Sequence, residues 1–257
     1  MQAKHAGEGG KRGEVALFAT CLVDLLRPSV GFAAAELIEQ AGFRVVVPDQ
    51  GCCGQVNFNS GDRKGAAKMA VRLIENFAAY DYVVVPSGSC AAMIKVHFAT
   101  LFVADSVAAK SAAALAAKTW ELSCFLHEVA GLDALPQRAE SELSVTYHDA
   151  CSGLRELGIK SQPRALISQL SNVTVNETAD AESCCGFGGL FCVKYPEVSE
   201  RIVEKKLAGI AASEGDCVVA GDLGCLLHIE GALQRRGSKT QAVHIAELLA
   251  GKSGKQK

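Results

Sequence analysis

Eleven cysteines in 257 residues are the feature most able to do chemistry. Thiolates are ligands for soft metals and nucleophiles in redox exchange. Eight of them fall in one pattern written twice. Cys21, the adjacent pair Cys52-Cys53 and Cys90 are separated by 31 and 37 positions, and Cys151, Cys184-Cys185 and Cys225 by 33 and 40. Equivalent cysteines are offset by 130, 132 and 135 positions. Adjacent cysteines pair poorly with each other as a disulfide, because the geometry is strained. Four converging thiolates suit one tetrahedral zinc or one [4Fe–4S] cubane. Gly54 and Gly186 follow the two pairs. A glycine there lets backbone come close to a bulky group and lets its N–H bond to sulfur. Buried free thiols are the blander alternative, and two matched sets weigh against it. Cys124, Cys192 and Cys217 stand outside the pattern and read as packing thiols.

Weaker candidates surround these sets. His148 lies three residues before Cys151 and is a candidate for proton transfer or hydrogen bonding near a metal group. Asp149 could orient it or cap the loop. His97, His228 and His244 read as surface or core histidines. The run Gly186-Phe187-Gly188-Gly189 lacks the strand–GxGxxG–helix context of a dinucleotide site and serves the Cys-Cys-Gly turn instead.

The elements that must place these residues alternate. Strands are expected at 15–20, 43–47, 82–85, 143–147, 173–175 and 217–220. Helices are expected at 31–41, 66–79, 91–118, 122–129, 163–170, 197–212, 226–234 and 244–250, with Gly42 just past one end and Pro196 in a first turn. Strands apolar at nearly every residue, alternating with helices, argue parallel sheet with helices on both faces. The fold class is therefore α/β: two similar, Rossmann-like parallel-sheet halves related by internal duplication, with residues 15–135 and 143–250 as cysteine-rich domains. Residues 136–142 suit a linker, and 1–14 and 251–257 read as flexible tails. Each cysteine of the pattern follows a strand, at the sheet edge where open parallel sheets bind ligands.

Composition agrees with a globular protein: 49% apolar, 21% charged, formal net charge −2. No basic stripe points to nucleic acid, and no apolar run is long enough for a transmembrane segment. The N-terminus lacks the apolar region of a secretory signal, so a cytoplasmic location with reduced thiols is expected.

The stretches TCLVD (20–24), CCGQ with NSG (52–61), PSGSCAAM (86–93), H-x-x-C (148–151), CCGFGG with VK (184–194) and GDLGCLLHI (221–229) carry a resemblance over nearly the whole chain. The sequence is similar to the cysteine-rich CCG domain family, which includes the heterodisulfide reductase B subunit and the glycolate oxidase iron–sulfur subunit, and within it to the lactate-utilisation branch. The resemblance implies a cytosolic iron–sulfur protein of L-lactate oxidation. It would act with two other lactate-utilisation proteins, a ferredoxin-type iron–sulfur protein and a third subunit. The implied ligands are Cys21, Cys52, Cys53 and Cys90 in one half and Cys151, Cys184, Cys185 and Cys225 in the other. The implied cofactor is an iron–sulfur cluster of the [4Fe–4S] type, with zinc an alternative in one half. The broader family closes each half with C-x-x-C, and here Ser87 and Asp222 replace the first of those cysteines. Each set is therefore one thiolate short of the five-cysteine arrangement, and Ser87 and Asp222 are candidates for contact with the cofactor. A zinc-holding scaffold and a heterodisulfide-type thiol catalyst are the competing functions.

Overall fold

The computed structural model describes residues 12–132, 135 and 142–252. Residues 1–11, 136–141 and 253–257, which carry most of the expected tails and linker, lie outside the described residues. The first half contributes strands β1 (Glu14–Leu17), β2 (Arg44–Val46), β3 (Tyr82–Val85) and β4 (Thr119–Glu121). The second contributes β5 (Leu143–Tyr147), β6 (Val173–Asn176), β7 (Cys217–Ala220) and β8 (Gln241–His244). The sheets run β2-β1-β3-β4 and β6-β5-β7-β8, and every neighbouring pair is parallel. The duplication extends to single hydrogen bonds. Phe18 N–H donates to the Val84 carbonyl at 2.9 Å, and His148 N–H to the Val219 carbonyl at 2.8 Å.

Alternation along β1 sends Val15 and Leu17 to one face and Ala16 and Phe18 to the other, as a two-residue period requires. The first face belongs to a core shared by both halves, joining Leu37 and Phe125 to Val145, Val219 and Leu249. The second face packs under the helix Arg63–Phe77 with Phe98 and Leu115. Helix Pro28–Gln40 lies on helix Ile245–Leu249. The Ser29 hydroxyl donates to Glu247 at 2.6 Å, and Arg27 donates to Glu230 at 2.6 Å.

Several boundaries differ from the sequence reading. The expected helix 91–118 is broken. Helix Gly88–Ala92 widens into a π turn at Met93–His97 and tightens to a 3₁₀ turn at Phe98–Leu101. A new helix, Val107–Lys118, then starts where Ser106 accepts from Ala109 N–H. Asp105 just before it has φ +60°, which ends any helical continuity. Strands β4 and β8 were not expected. They are short, and each feeds directly into a helix, so their pattern merges with that of the helix. Cys21 and Cys151 open short helices, Cys21–Leu26 and Cys151–Leu157, rather than plain turns.

Candidate metal centres

Both cysteine sets assemble at the carboxyl ends of their strands. Cys21 follows β1, the pair Cys52-Cys53 follows β2, and Cys90 sits in the first turn after β3. The second half repeats this with Cys151, Cys184, Cys185 and Cys225. The Cys53 thiol donates to Cys90 Sγ at 3.2 Å, and Cys185 to Cys225 at 3.0 Å. Cys52 takes hydrogen bonds from Cys21 and Cys53, which hold its pKa far below that of an ordinary thiol. Cys184 is held down in the same way by Cys151 and Cys185. The donors Cys21, Cys53, Cys151 and Cys185 are correspondingly pushed up. Each set thus forms a connected group of four sulfurs. All eleven cysteines are free thiols.

The glycines behave as the chemistry needs. Gly54 N–H points to Cys52 Sγ at 3.4 Å and Gly186 N–H to Cys184 Sγ at 3.3 Å. Both have positive φ, +80° and +89°. A Cβ on Gly186 would fall 2.7 Å from the Ser199 carbonyl, and on Gly54 3.3 Å from Ala66 and Met69. Four sulfurs in mutual contact, with a backbone N–H aimed at one of them, are a donor set that fits tetrahedral zinc or an iron–sulfur cluster.

Ser87 and Asp222 occupy equivalent places and meet each other. Ser87 caps its helix by accepting from Cys90 N–H at 3.3 Å, and Asp222 caps its own through Gly224 and Cys225 N–H at 3.1 and 3.4 Å. The Ser87 hydroxyl also donates to Asp222 Oδ2 at 3.1 Å, and Ser89 N–H donates to the same oxygen at 2.9 Å. The two residues therefore tie the halves together beside both cysteine sets. A second equivalent pair lies nearby. Glu121 and His244 each cap the last helix of their half by accepting backbone N–H groups. Burial raises Glu121 to about 7 and lowers His244 to about 3.

The surroundings of the two sets differ. The first faces a cavity of about 200 Å³ between the halves. Cys21, Cys52 and Gln55 line one side, and Phe187, Leu190, Val193 and Leu223 of the second half line the other. Gly186, Gly188 and Gly189 all have positive φ, which turns this loop across toward Val56. Phe187 lies against Gly224 so closely that a Cβ there would meet its ring at 2.6 Å. Thr20, before Cys21, is a buried non-glycine residue with φ +71° and ψ +154°. Its counterpart Ala150 has a relaxed backbone, with φ −63° and ψ +129°.

Behind the second set lie His148, 1% exposed, and Lys206, 2% exposed. Burial, then Lys206, lowers His148 to about 3, so the imidazole is neutral. Lys206 Nζ donates to the carbonyls of Asp180 and Ala181. Asp149 does not orient His148. Its carboxylate takes a two-pronged bond from Arg164 at 2.8 and 2.9 Å, and that guanidinium stacks over Tyr147 at 5.0 Å. The outlying cysteines stay outside both sets. Cys192 bonds to the Gly189 carbonyl at 3.2 Å, and Cys217 is buried in β7 with its thiol pushed up to about 12. Lys206 and the crossing loop 187–193 escaped the sequence reading. A lysine on the apolar stripe Ser199, Val203, Lys206, Ile210 was the available signal for the former.

The pattern of the family described as CCG, cysteine-rich domain, matches residues 15–95 and 145–230. The chain belongs to the cysteine-rich CCG domain family. Each CCG segment carries one set of four cysteines. Lactate utilization protein A 2 of Bacillus cereus (strain Q1) is 38% identical over 238 residues, 92% of this chain and 98% of that protein. Lactate utilization protein A of Shouchella clausii (strain KSM-K16) is 42% identical over 239 residues, 93% and 99% respectively. Among solved structures, a hypothetical protein from Helicobacter pylori superposes with a TM-score of 0.66 at 13% identity, over 96% of this chain and 50% of that one. That likeness supports the fold alone. Among the described residues, no helix is long and apolar enough to cross a membrane.

Proposed function

We propose that this CCG protein is the iron–sulfur subunit of a cytosolic system that oxidises L-lactate to pyruvate. In this reading it works with a ferredoxin-type iron–sulfur protein and a third subunit. The observation that carries the reading is the pair of four-sulfur groups, each in contact and free of disulfides, in a chain similar over its length to lactate utilization proteins. Cys21, Cys52, Cys53 and Cys90 would hold one group, and Cys151, Cys184, Cys185 and Cys225 the other. Bound [4Fe–4S] clusters would supply one-electron transfer. Gly54 and Gly186 N–H groups favour negative charge on Cys52 and Cys184 sulfur. Ser87 and Asp222 hold the two helices that present Cys90 and Cys225 and couple their positions. The cavity at the first set is lined by the cysteines, by apolar side chains and by the polar groups of Thr20, Gln55, Ser87, Ser89 and Asp222, with no lysine or arginine among the described residues that line it. It offers no fixed cation to a lactate carboxylate, which favours electron transfer over lactate binding at that face.

Anaerobic purification and reconstitution, followed by iron, acid-labile sulfide and zinc analysis, visible absorption and electron paramagnetic resonance, tests the reading. The expected result is about four iron and four sulfide for each loaded half. A colourless chain with zinc alone would replace it with the zinc-holding scaffold. A chain that takes up no metal would end both readings. Turnover of a disulfide with a reduced donor would favour the thiol-catalyst alternative.

A further inference from the structure

The duplication allows the two metal centres to be compared position by position, and the wall behind each set differs in kind. His148 and Phe18 are equivalent, since each donates its backbone N–H to the matching carbonyl of the neighbouring strand. The buried faces of the two helices behind the Cys-Cys-Gly loops also align. Ala66, Ala70, Leu73 and Phe77 match Ser199, Val203, Lys206 and Ile210. Two apolar residues, Phe18 and Leu73, thus stand where the second half buries an imidazole and an ammonium group.

Lys206 is satisfied by two backbone carbonyls. His148 is held less well: the Ala181 carbonyl acts on its ring, but neither ring nitrogen meets a partner in full hydrogen-bond geometry. A buried polar group that is not fully paired is destabilising, so a fold rarely keeps one without use. The ring faces the cysteines. A ring nitrogen and the sulfurs of Cys185 and Cys225 all lie within 4.8 Å of one another.

We infer that His148 is a ligand of the second half's metal group, alongside Cys185 and Cys225. The two halves then hold chemically different centres, all-sulfur in the first and mixed nitrogen and sulfur in the second. The soft-metal classes that accept such a mixed set are zinc and iron–sulfur centres with imidazole ligation. The inference rests on metal binding by the second cysteine set.

The test is Co²⁺ titration of the full-length, metal-free chain under anaerobic conditions, with the first set silenced by Cys52→Ser and Cys90→Ser. Tetrahedral Co²⁺ reports its ligands through thiolate charge-transfer and ligand-field bands. The silenced chain is expected to bind Co²⁺ at the second set. Adding His148→Phe, the residue of the first half, should weaken that binding by more than roughly 100-fold, since loss of a direct ligand exceeds the loss of an outer-shell partner. His148→Cys should restore tight binding with ligand-field bands at longer wavelength, because sulfur replaces nitrogen. His148→Phe in a chain with the first set intact should still load that set, which shows that the variant folds. Unchanged affinity and spectrum in His148→Phe would overturn the inference and leave metal binding standing. No Co²⁺ uptake by the silenced chain, with uptake by the parent, would overturn both the inference and metal binding by the second set.

Discussion

The two cysteine sets have the same topology and sulfur contacts and closely matched spacing, yet one faces a cavity and the other is backed by buried ionisable groups. The comparison separates what ligation requires from what a site's surroundings add. Four sulfurs and a positive-φ glycine recur in both halves. Among the described residues, the strained Thr20, the cavity of about 200 Å³ and the crossing loop Phe187–Val193 lie at the first set. His148 and Lys206 occur only at the second. A duplicated fold has kept its frame and diversified the second layer of contacts, which is where potential, access and metal preference are set.

The largest effect that would sharpen this contrast is on metal content. Cys53→Ser should abolish loading of the first half and leave the second, and Cys185→Ser should do the reverse, as read by metal per chain and resonance spectra. Loss of both centres from either single change would show that the halves assemble as one site.

The pair Glu121 and His244 should give opposite pH slopes in the metal-free chain. Glu121 is raised from 4.5 to about 7, so the unfolded state releases its proton first, and stability falls as pH rises from about 4.5 to 7. Glu121→Gln should remove a loss of roughly 3 kcal/mol over that window. His244 is lowered from 6.5 to about 3, so the unfolded state takes its proton first, and stability falls as pH drops from about 6.5 to 3. His244→Gln should flatten that limb by roughly 5 kcal/mol in full, of which about 3 kcal/mol falls above pH 4. Denaturant melts across pH 4–8 would read both, and a matching slope in each variant would refute the assignment.

The Cys-Cys-Gly turns should differ more modestly. Gly186→Ala places a Cβ 2.7 Å from a backbone carbonyl, whereas Gly54→Ala meets its neighbours at 3.3 Å. Both changes carry the positive-φ penalty, so Gly186→Ala should cost about 2 kcal/mol more in a denaturation midpoint. The smallest effect concerns Thr20. Its φ and ψ belong to a region that glycine tolerates, so Thr20→Gly should gain about 1 kcal/mol, while Ala150→Gly should lose a few tenths. Destabilisation by Thr20→Gly would mean that the threonine's own contacts outweigh the strain.

Much of the frame was legible because it rests on local rules. Strands β3, β5 and β7 are short runs rich in β-branched residues, β3 ended by Pro86 and β7 by Gly221, and their limits match the expectation closely. The eight cysteines announce themselves through spacing that no helix or strand period would produce. Strands β4 and β8 were hidden, since three or four residues that run straight into a helix leave no period of their own. The departure from C-x-x-C raised the right positions. That Ser87 and Asp222 bond to each other could not be read from a chain in which they stand 135 residues apart.

The sequence by itself determined the duplicated parallel-sheet frame, the eight converging thiols and the glycines that let backbone approach them. Hydrophobic periodicity, turn chemistry and repeat spacing are properties of neighbouring residues, and they survive in one dimension. Only the tertiary structure decided that Phe187 and Leu190 of one half wall the cysteines of the other, and that a His148 ring nitrogen lies within 4.8 Å of the Cys185 and Cys225 sulfurs. It also decided that Asp149 belongs to Arg164. Burial and hydrogen-bond satisfaction depend on which distant segments arrive at the same place, and packing of the two halves settles that.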